Sequence, residues 1–150
     1  MLDFKIMTAE NVAHTDVAPT DVSDVIILGG GPGVLAAGMY AARAGLITHI
    51  VERAALGGQV ATTAHMENCP GCSAGPGVDY AARLQSQAIE FGANVVRAEV
   101  LEVDLLADPK VIHTTNGRML ARAVIIATGA SPRKLSVPGE QEYRGRGVSY

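Results

Sequence analysis

Val25-Ile26-Ile27-Leu28 is a continuous apolar run halted by Gly29-Gly30-Gly31, the pattern of a strand buried on both faces that ends in a tight turn. Pro32 stands where a first helical residue can lack its N–H without loss. The alanine-rich segment through Ala44 favours helix, and Gly45 supplies a left-handed stop. Ile47 to Glu52 then reads as a second strand, completing a β-α-β unit. Between Asp79 and Phe91, the residues Tyr80, Leu84, Ala88 and Phe91 fall on one helical stripe, with Asp79 near the start and Gly92 just past the end. Val95 to Val103 and Lys110 to Thr115 read as strands, and Asn116-Gly117 between Val111-Ile112 and Met119-Leu120 is a strong hairpin signal. Ala123 to Ala127 is a further buried strand, stopping at Thr128-Gly129.

Two stretches carry no such periodicity. Residues 1–23 hold Pro19 among scattered Asp, Thr and Asn and read as a mobile extension, leaving 24–150 as the folded domain. Arg53 to Gly77 is rich in glycine and proline and too long for an idle connection. The longest apolar stretch, Val34 to Ala42, is well short of the ~20 residues a bilayer span needs, so no membrane partner is expected. The first residues form neither a secretory signal nor an Arg-rich transit peptide, which makes a cytoplasmic location the expectation.

Composition adds mainly exclusions. With 150 residues, 48% apolar and 18% charged, the chain can bury a real core. A formal net charge of −3 offers no basic field for nucleic acid. Two cysteines cannot form a disulfide framework, and both fall in Cys69-Pro70-Gly71-Cys72.

The chemistry starts at the glycine turn. Its backbone N–H groups and the following helix N-terminus form a site for a pyrophosphate. In the register Gly29-x-Gly31-x-x-Val34, the first two glycines of a dinucleotide fingerprint are present and the third is valine, with Gly33 as partial relief. The alternative register, Gly31-x-Gly33-x-x-Ala36, puts Pro32 in the turn. Glu52 ends the second strand 21 residues after Gly31, close to the ~20 expected for a carboxylate that accepts hydrogen bonds from a ribose diol. It would repel a 2′-phosphate, which favours FAD or NAD over NADP. The hairpin-rich segment after the second helix, in place of further β-α units, favours FAD.

At this point the chain resembles the low-molecular-weight thioredoxin reductase family. The resemblance runs from about Asp24 to Tyr150, through Gly29-Gly30-Gly31-Pro32, Tyr40-Ala41-Ala42-Arg43-Ala44, Glu52, Gly57-Gly58-Gln59, Glu67-Asn68 with Pro70-Gly71, Ala127-Thr128-Gly129-Ala130 and Val137-Pro138-Gly139-Glu140. It implies an α/β fold: a Rossmann-like FAD-binding domain with a parallel sheet and a β-meander, here incomplete. It also implies that Gly29, Gly31, Pro32 and Gly33 bind the FAD pyrophosphate, Glu52 the adenosine ribose, and Gly57, Gly58, Gln59 and Asn68 the flavin side. Adenine would lie near Val100, and Ala127, Thr128 and Gly129 would form the late FAD loop. In that family the chain continues past the segment matching Gly147-Val148-Ser149-Tyr150 into an NADPH domain bearing a Cys-x-x-Cys disulfide, then returns to finish the FAD domain. The chain therefore reads as the front FAD part of such an enzyme, with the NADPH domain absent. The complete protein would pass electrons from NADPH through FAD to a disulfide of thioredoxin or a similar protein, as a homodimer.

Two other functions stay open at this level: a ferredoxin-NADP reductase of the thioredoxin-reductase-like type, and a non-catalytic FAD- or NAD-binding module. Cys69 and Cys72 depart from the family, which commonly has apolar or aromatic residues there. They read as inert loop thiols or as a speculative redox pair. With His65 they supply only three ligands in one loop, short of a closed zinc site, and no metal is expected.

Overall fold

The computed structural model describes residues 22–149. The mobile extension expected over residues 1–23 lies almost wholly outside them, and its last residue, Ser23, is a buried part of the first strand. The elements are β1 (Ser23–Leu28), α1 (Pro32–Arg43), β2 (Thr48–Glu52), a short 3-10 helix (Gly58–Thr62), α2 (Gly77–Glu90), β3 (Asn94–Arg97), β4 (Val100–Asp104), β5 (Lys110–Thr114) and β6 (Gly117–Ile126). Six strands form one sheet in the order β3-β2-β1-β6-β5-β4, parallel from β3 to β6 and antiparallel from β6 to β4.

The β-α-β-α-β half buries one face of the sheet under α1 and α2. Ile27 and Ile50 pack there against Val34, Leu35, Ala42 and Ala88. The opposite face carries Ile26, Leu28 and Val51, and is covered by Ala98, Val103, Ile112 and Ala121 from the meander. β1 thus shows no polar/apolar alternation because both of its faces are buried.

One expected strand proves to be two. The run from Val95 to Val103 breaks at Ala98-Glu99, and its halves lie at opposite ends of the strand order. In a flat sheet those edges would be about 24 Å apart, five spacings of ~4.8 Å. The link from Arg97 to Val100 reaches at most about 11 Å. The sheet therefore curls until the end of β3 and the start of β4 come within that reach, with Ala98 buried at the seam. The seam is stitched by Thr115 N–H to the Glu99 carbonyl (2.9 Å), Glu99 N–H to Thr115 Oγ1 (3.1 Å) and Asn116 Nδ2 to the Arg97 carbonyl (3.1 Å). The hairpin turn moves by one residue from the expected Asn116-Gly117, since Thr114 pairs with Gly117 across Thr115-Asn116. The buried Thr114 hydroxyl fixes this register by donating to the Gly117 carbonyl (2.8 Å) and accepting from Asn116 N–H (3.1 Å).

The hairpin arm and the strand expected at Ala123–Ala127 are one ten-residue strand, β6. Its second half is not buried as expected: Ile125 is 38% and Ile126 46% exposed. β5 pairs only with Gly117 to Ala121, and among the described residues no strand pairs with the outer edge of Arg122 to Ile126. Such an apolar edge favours association. ANS fluorescence and concentration-dependent sedimentation should both report it, and Ile125→Lys should reduce both signals. A monomer that binds no dye would overturn that expectation.

His49 lies in β2 with its Nδ1 2.9 Å from the Ser23 hydroxyl oxygen, and burial pushes its pKa below the ordinary 6.5. The unfolded chain therefore binds more protons in the interval below 6.5. The stabilising contribution is complete above that value and is lost as pH falls through the folded-state value. Urea midpoints measured from neutral to mildly acidic pH should fall, and should fall less in His49→Gln.

Candidate functional site

The parallel strands end along one edge, and the groups that leave them converge there. At the end of β1, Gly29 has φ +117°, and a Cβ on it would lie 2.7 Å from the Ala127 carbonyl oxygen. A side chain on Gly30 would meet the Glu52 side chain, Cγ at 2.7 Å and Oε2 at 3.0 Å. Gly31 caps α1, and a Cβ there would meet nothing within 4 Å. The three glycines thus divide the work: a backbone bend at Gly29, passage of Glu52 at Gly30, and open space at Gly31.

The close helix-strand packing that a third fingerprint glycine normally permits comes from elsewhere. Val34 is fully buried, a Cβ on Gly33 would meet nothing within 4 Å, and Gly38 sits where a Cβ would be 2.6 Å from Ile50 Cδ1. The relief expected of Gly33 is therefore provided five residues later, at Gly38. Gly33 also lies within α1, which begins at Pro32, so the turn belongs to the register beginning at Gly29.

Gly57 and Gly58 lie against this turn. Gly57 N–H donates to the Gly30 carbonyl at 2.7 Å, and a Cβ on Gly58 would be 3.0 Å from Gly31 Cα. Gly57 has φ +120° and abuts Ala61 and Ala81, so only glycine fits. From the adjoining 3-10 helix, Gln59 Nε2 donates to the Ala130 carbonyl, joining this side to the loop after β6. That loop is anchored farther along by the buried Glu140, whose carboxylate accepts from Leu135 N–H (2.9 Å) and Ser136 N–H (2.7 Å).

Two adjoining cavities result. The larger, about 500 Å³, is lined by the glycine turn with Pro32 and Gly33, by Gly58 to Val60, and by Ala127 to Ala130. The smaller, about 140 Å³, lies among Leu28, Val51, Arg53, Ala98, Glu99 and Val100. Glu52 and Thr128 line both, and Glu52 stands between them with Oε1 held by Ala54 N–H at 2.9 Å. Arg53 and Glu99 pair at 3.4 Å across the smaller cavity's exposed side.

The structure brings together Gly29, Gly31, Pro32, Gly33, Glu52, Gly58, Gln59, Val100, Ala127, Thr128 and Gly129 from the sequence expectation, with Gly57 bonded behind them. Asn68, Cys69 and Cys72 line neither cavity, and Asn68 is exposed. Sequence reasoning quoted Gly30 and Ala130 within motifs without giving them a role, and passed over Val60, Arg53, Ala98 and Glu99. Adjacency to a named site residue could have flagged Val60 beside Gln59, Arg53 beside Glu52 and Glu99 beside Val100, while Ala98 carries no such signal.

A family model described as pyridine nucleotide-disulphide oxidoreductase matches residues 23–150. The thioredoxin reductase of Peptoclostridium acidaminophilum is 43% identical over 131 residues, 87% of this chain and 42% of that protein. The Listeria monocytogenes thioredoxin reductase is also 43% identical, over 86% of this chain and 40% of its own length. The crystal structure of Lactococcus lactis thioredoxin reductase superposes with a TM-score of 0.75 at 38% identity, covering 85% of this chain and 42% of that one. The chain thus spans about two-fifths of the length of the curated relatives it matches.

Because the Gly29 Cβ position is taken by backbone, Gly29→Ala should destabilise the fold by about 2 kcal/mol or more. Chemical denaturation checks it, and an unchanged midpoint would refute the close approach.

Proposed function

The chain belongs to the pyridine nucleotide-disulphide oxidoreductase family, and on that footing we propose that it binds FAD across the two cavities, as the FAD-binding part of a thioredoxin-reductase-like enzyme. The supporting observation is the carboxylate of Glu52 between a cavity rimmed by a glycine turn and one lined by apolar residues and an ion pair. A dinucleotide with a flavin at one end needs three different environments in sequence.

The pyrophosphate would take the open side of Gly31 and the α1 N-terminus, where backbone N–H groups lack intrahelical partners. Glu52 would accept from the adenosine ribose hydroxyls, and its charge would count against a 2′-phosphate. Ala98 and Val100 offer apolar surface to adenine. Gly58, Gln59 and Ala127 to Gly129 would face the flavin half, and Asn68 could serve there only from outside the cavity lining. When bound, FAD supplies hydride and electron transfer; the protein orients the cofactor and excludes water.

In the complete protein the expected sequence is NADPH to FAD to a disulfide of thioredoxin or a similar protein, within a homodimer in the cytoplasm. No helix among the described residues is long and apolar enough to cross a membrane. The same cradle would equally serve a ferredoxin-NADP reductase or a non-catalytic flavin module, because the chemistry that separates them is remote from it.

FAD titration followed by flavin fluorescence quenching tests the reading. Glu52→Ala should weaken binding about thirtyfold, the loss of roughly 2 kcal/mol of charge-assisted hydrogen bonding. A folded chain that takes up NAD but no FAD would overturn it.

A further inference from the structure

Cys69 and Cys72 lie outside both cavities and have a local architecture of their own. Cys69-Pro70-Gly71-Cys72 is a β-turn, closed by Cys72 N–H to the Cys69 carbonyl at 3.0 Å. Proline at its second position presets φ, and Gly71 at its third has φ +78°, as a type II turn requires. The two Cα atoms are 5.4 Å apart and the sulfurs are joined as a disulfide, a spacing in the middle of the range such bonds accept.

Behind the turn the loop is clamped twice. Met66 and Gly75 exchange both backbone hydrogen bonds, at 2.8 and 3.0 Å, and Gly77 N–H donates to the Thr63 carbonyl at 3.0 Å. A Cβ on Gly77 would overlap the Val60 carbonyl, so the neck is seated tightly on the 3-10 helix. Both cysteines are half-buried, while their neighbours Asn68, Pro70, Gly71 and Ser73 are exposed. The turn and clamp hold the sulfurs together without support from a core, and the loop surface leaves them reachable. The clamp consists of backbone hydrogen bonds that do not involve sulfur, so opening the disulfide removes none of them directly. Reclosure then proceeds at high effective concentration.

We infer that Cys69 and Cys72 form a reversible dithiol-disulfide couple that exchanges with an external dithiol, as an activity separate from nucleotide binding. In the reducing direction a donor thiolate attacks one cysteine sulfur, a mixed disulfide forms, and the Cys69–Cys72 bond breaks. The released cysteine leaves as thiolate and takes a proton. The donor's second thiol then attacks its own sulfur in the mixed disulfide, freeing the other cysteine, which takes the second proton. The couple gains two electrons and two protons, and the donor becomes a disulfide. Oxidation by an external disulfide is the reverse.

The test uses the full chain without added flavin, so its outcome is independent of the FAD reading. The protein is equilibrated anaerobically over a series of reduced to oxidised glutathione ratios, quenched in acid, alkylated and weighed intact. Alkylatable thiols should pass from two to none in one step, with no persistent singly labelled species. Dithiothreitol should reduce the native chain faster than glutathione at equal thiol concentration. Gly71→Val, which the left-handed φ disfavours, should shift the half-oxidation ratio roughly tenfold toward the dithiol. Thiols that stay alkylatable at every ratio, reduction only after unfolding, or a stable adduct with one glutathione would each overturn the couple. Equal rates with the two reductants would overturn its assignment to a dithiol partner, and an unshifted Gly71→Val would overturn preorganisation by the turn.

Discussion

The structure depends on side chains that are missing at the end of β1. Gly29 lets the chain turn directly against the Ala127 carbonyl, and Gly30 lets Glu52 pass where any Cβ would collide. These two contacts set how far the ends of β1, β2 and β6 can approach one another. They also leave the carboxylate between two cavities instead of at a solvated strand tip. Buried aliphatic packing on both faces of the sheet supplies the stability. The absence of two methyl groups supplies the shape.

A second constraint acts at the sheet's far edges. The same curl that brings the start of β4 near the end of β3 carries Ala98, Glu99 and Val100 to the mouth of the smaller cavity. The helical side thus lines the larger cavity, through Pro32, Gly33 and Gly58 to Val60, and the β3–β4 link lines the smaller. Glu52, at the end of β2, forms the partition. The Gln59 to Ala130 hydrogen bond closes the far end in a comparable way, joining a loop that follows β2 to one that follows β6.

Much of this was legible in the chain. The continuous run Val25 to Leu28 could be read as a strand buried on both sides, and the spacing to Glu52 reflects the length of one β-α-β unit, which local rules fix. The break at Ala98-Glu99 was illegible, because Val95 to Val103 alternates well enough for one strand and only the global curl requires two. The exposure of Ile125 and Ile126 was hidden for a related reason: an apolar run signals a wish for burial and does not supply the covering layer. Gly38 was passed over because it lies inside a good helical pattern, where its purpose depends on Ile50 across the interface. The residue-by-residue cofactor roles rested on resemblance, and the fold could only show which of those residues share a surface.

The two-residue link at Ala98-Glu99 has a mechanical consequence. A tether this short gives the meander no hinge about which to swing from the helical layer, and its hydrogen-bonded seam resists shear. The meander's share of the smaller cavity, Ala98 to Val100, is therefore held against the ends of β1 and β2 by the same short link and hydrogen bonds.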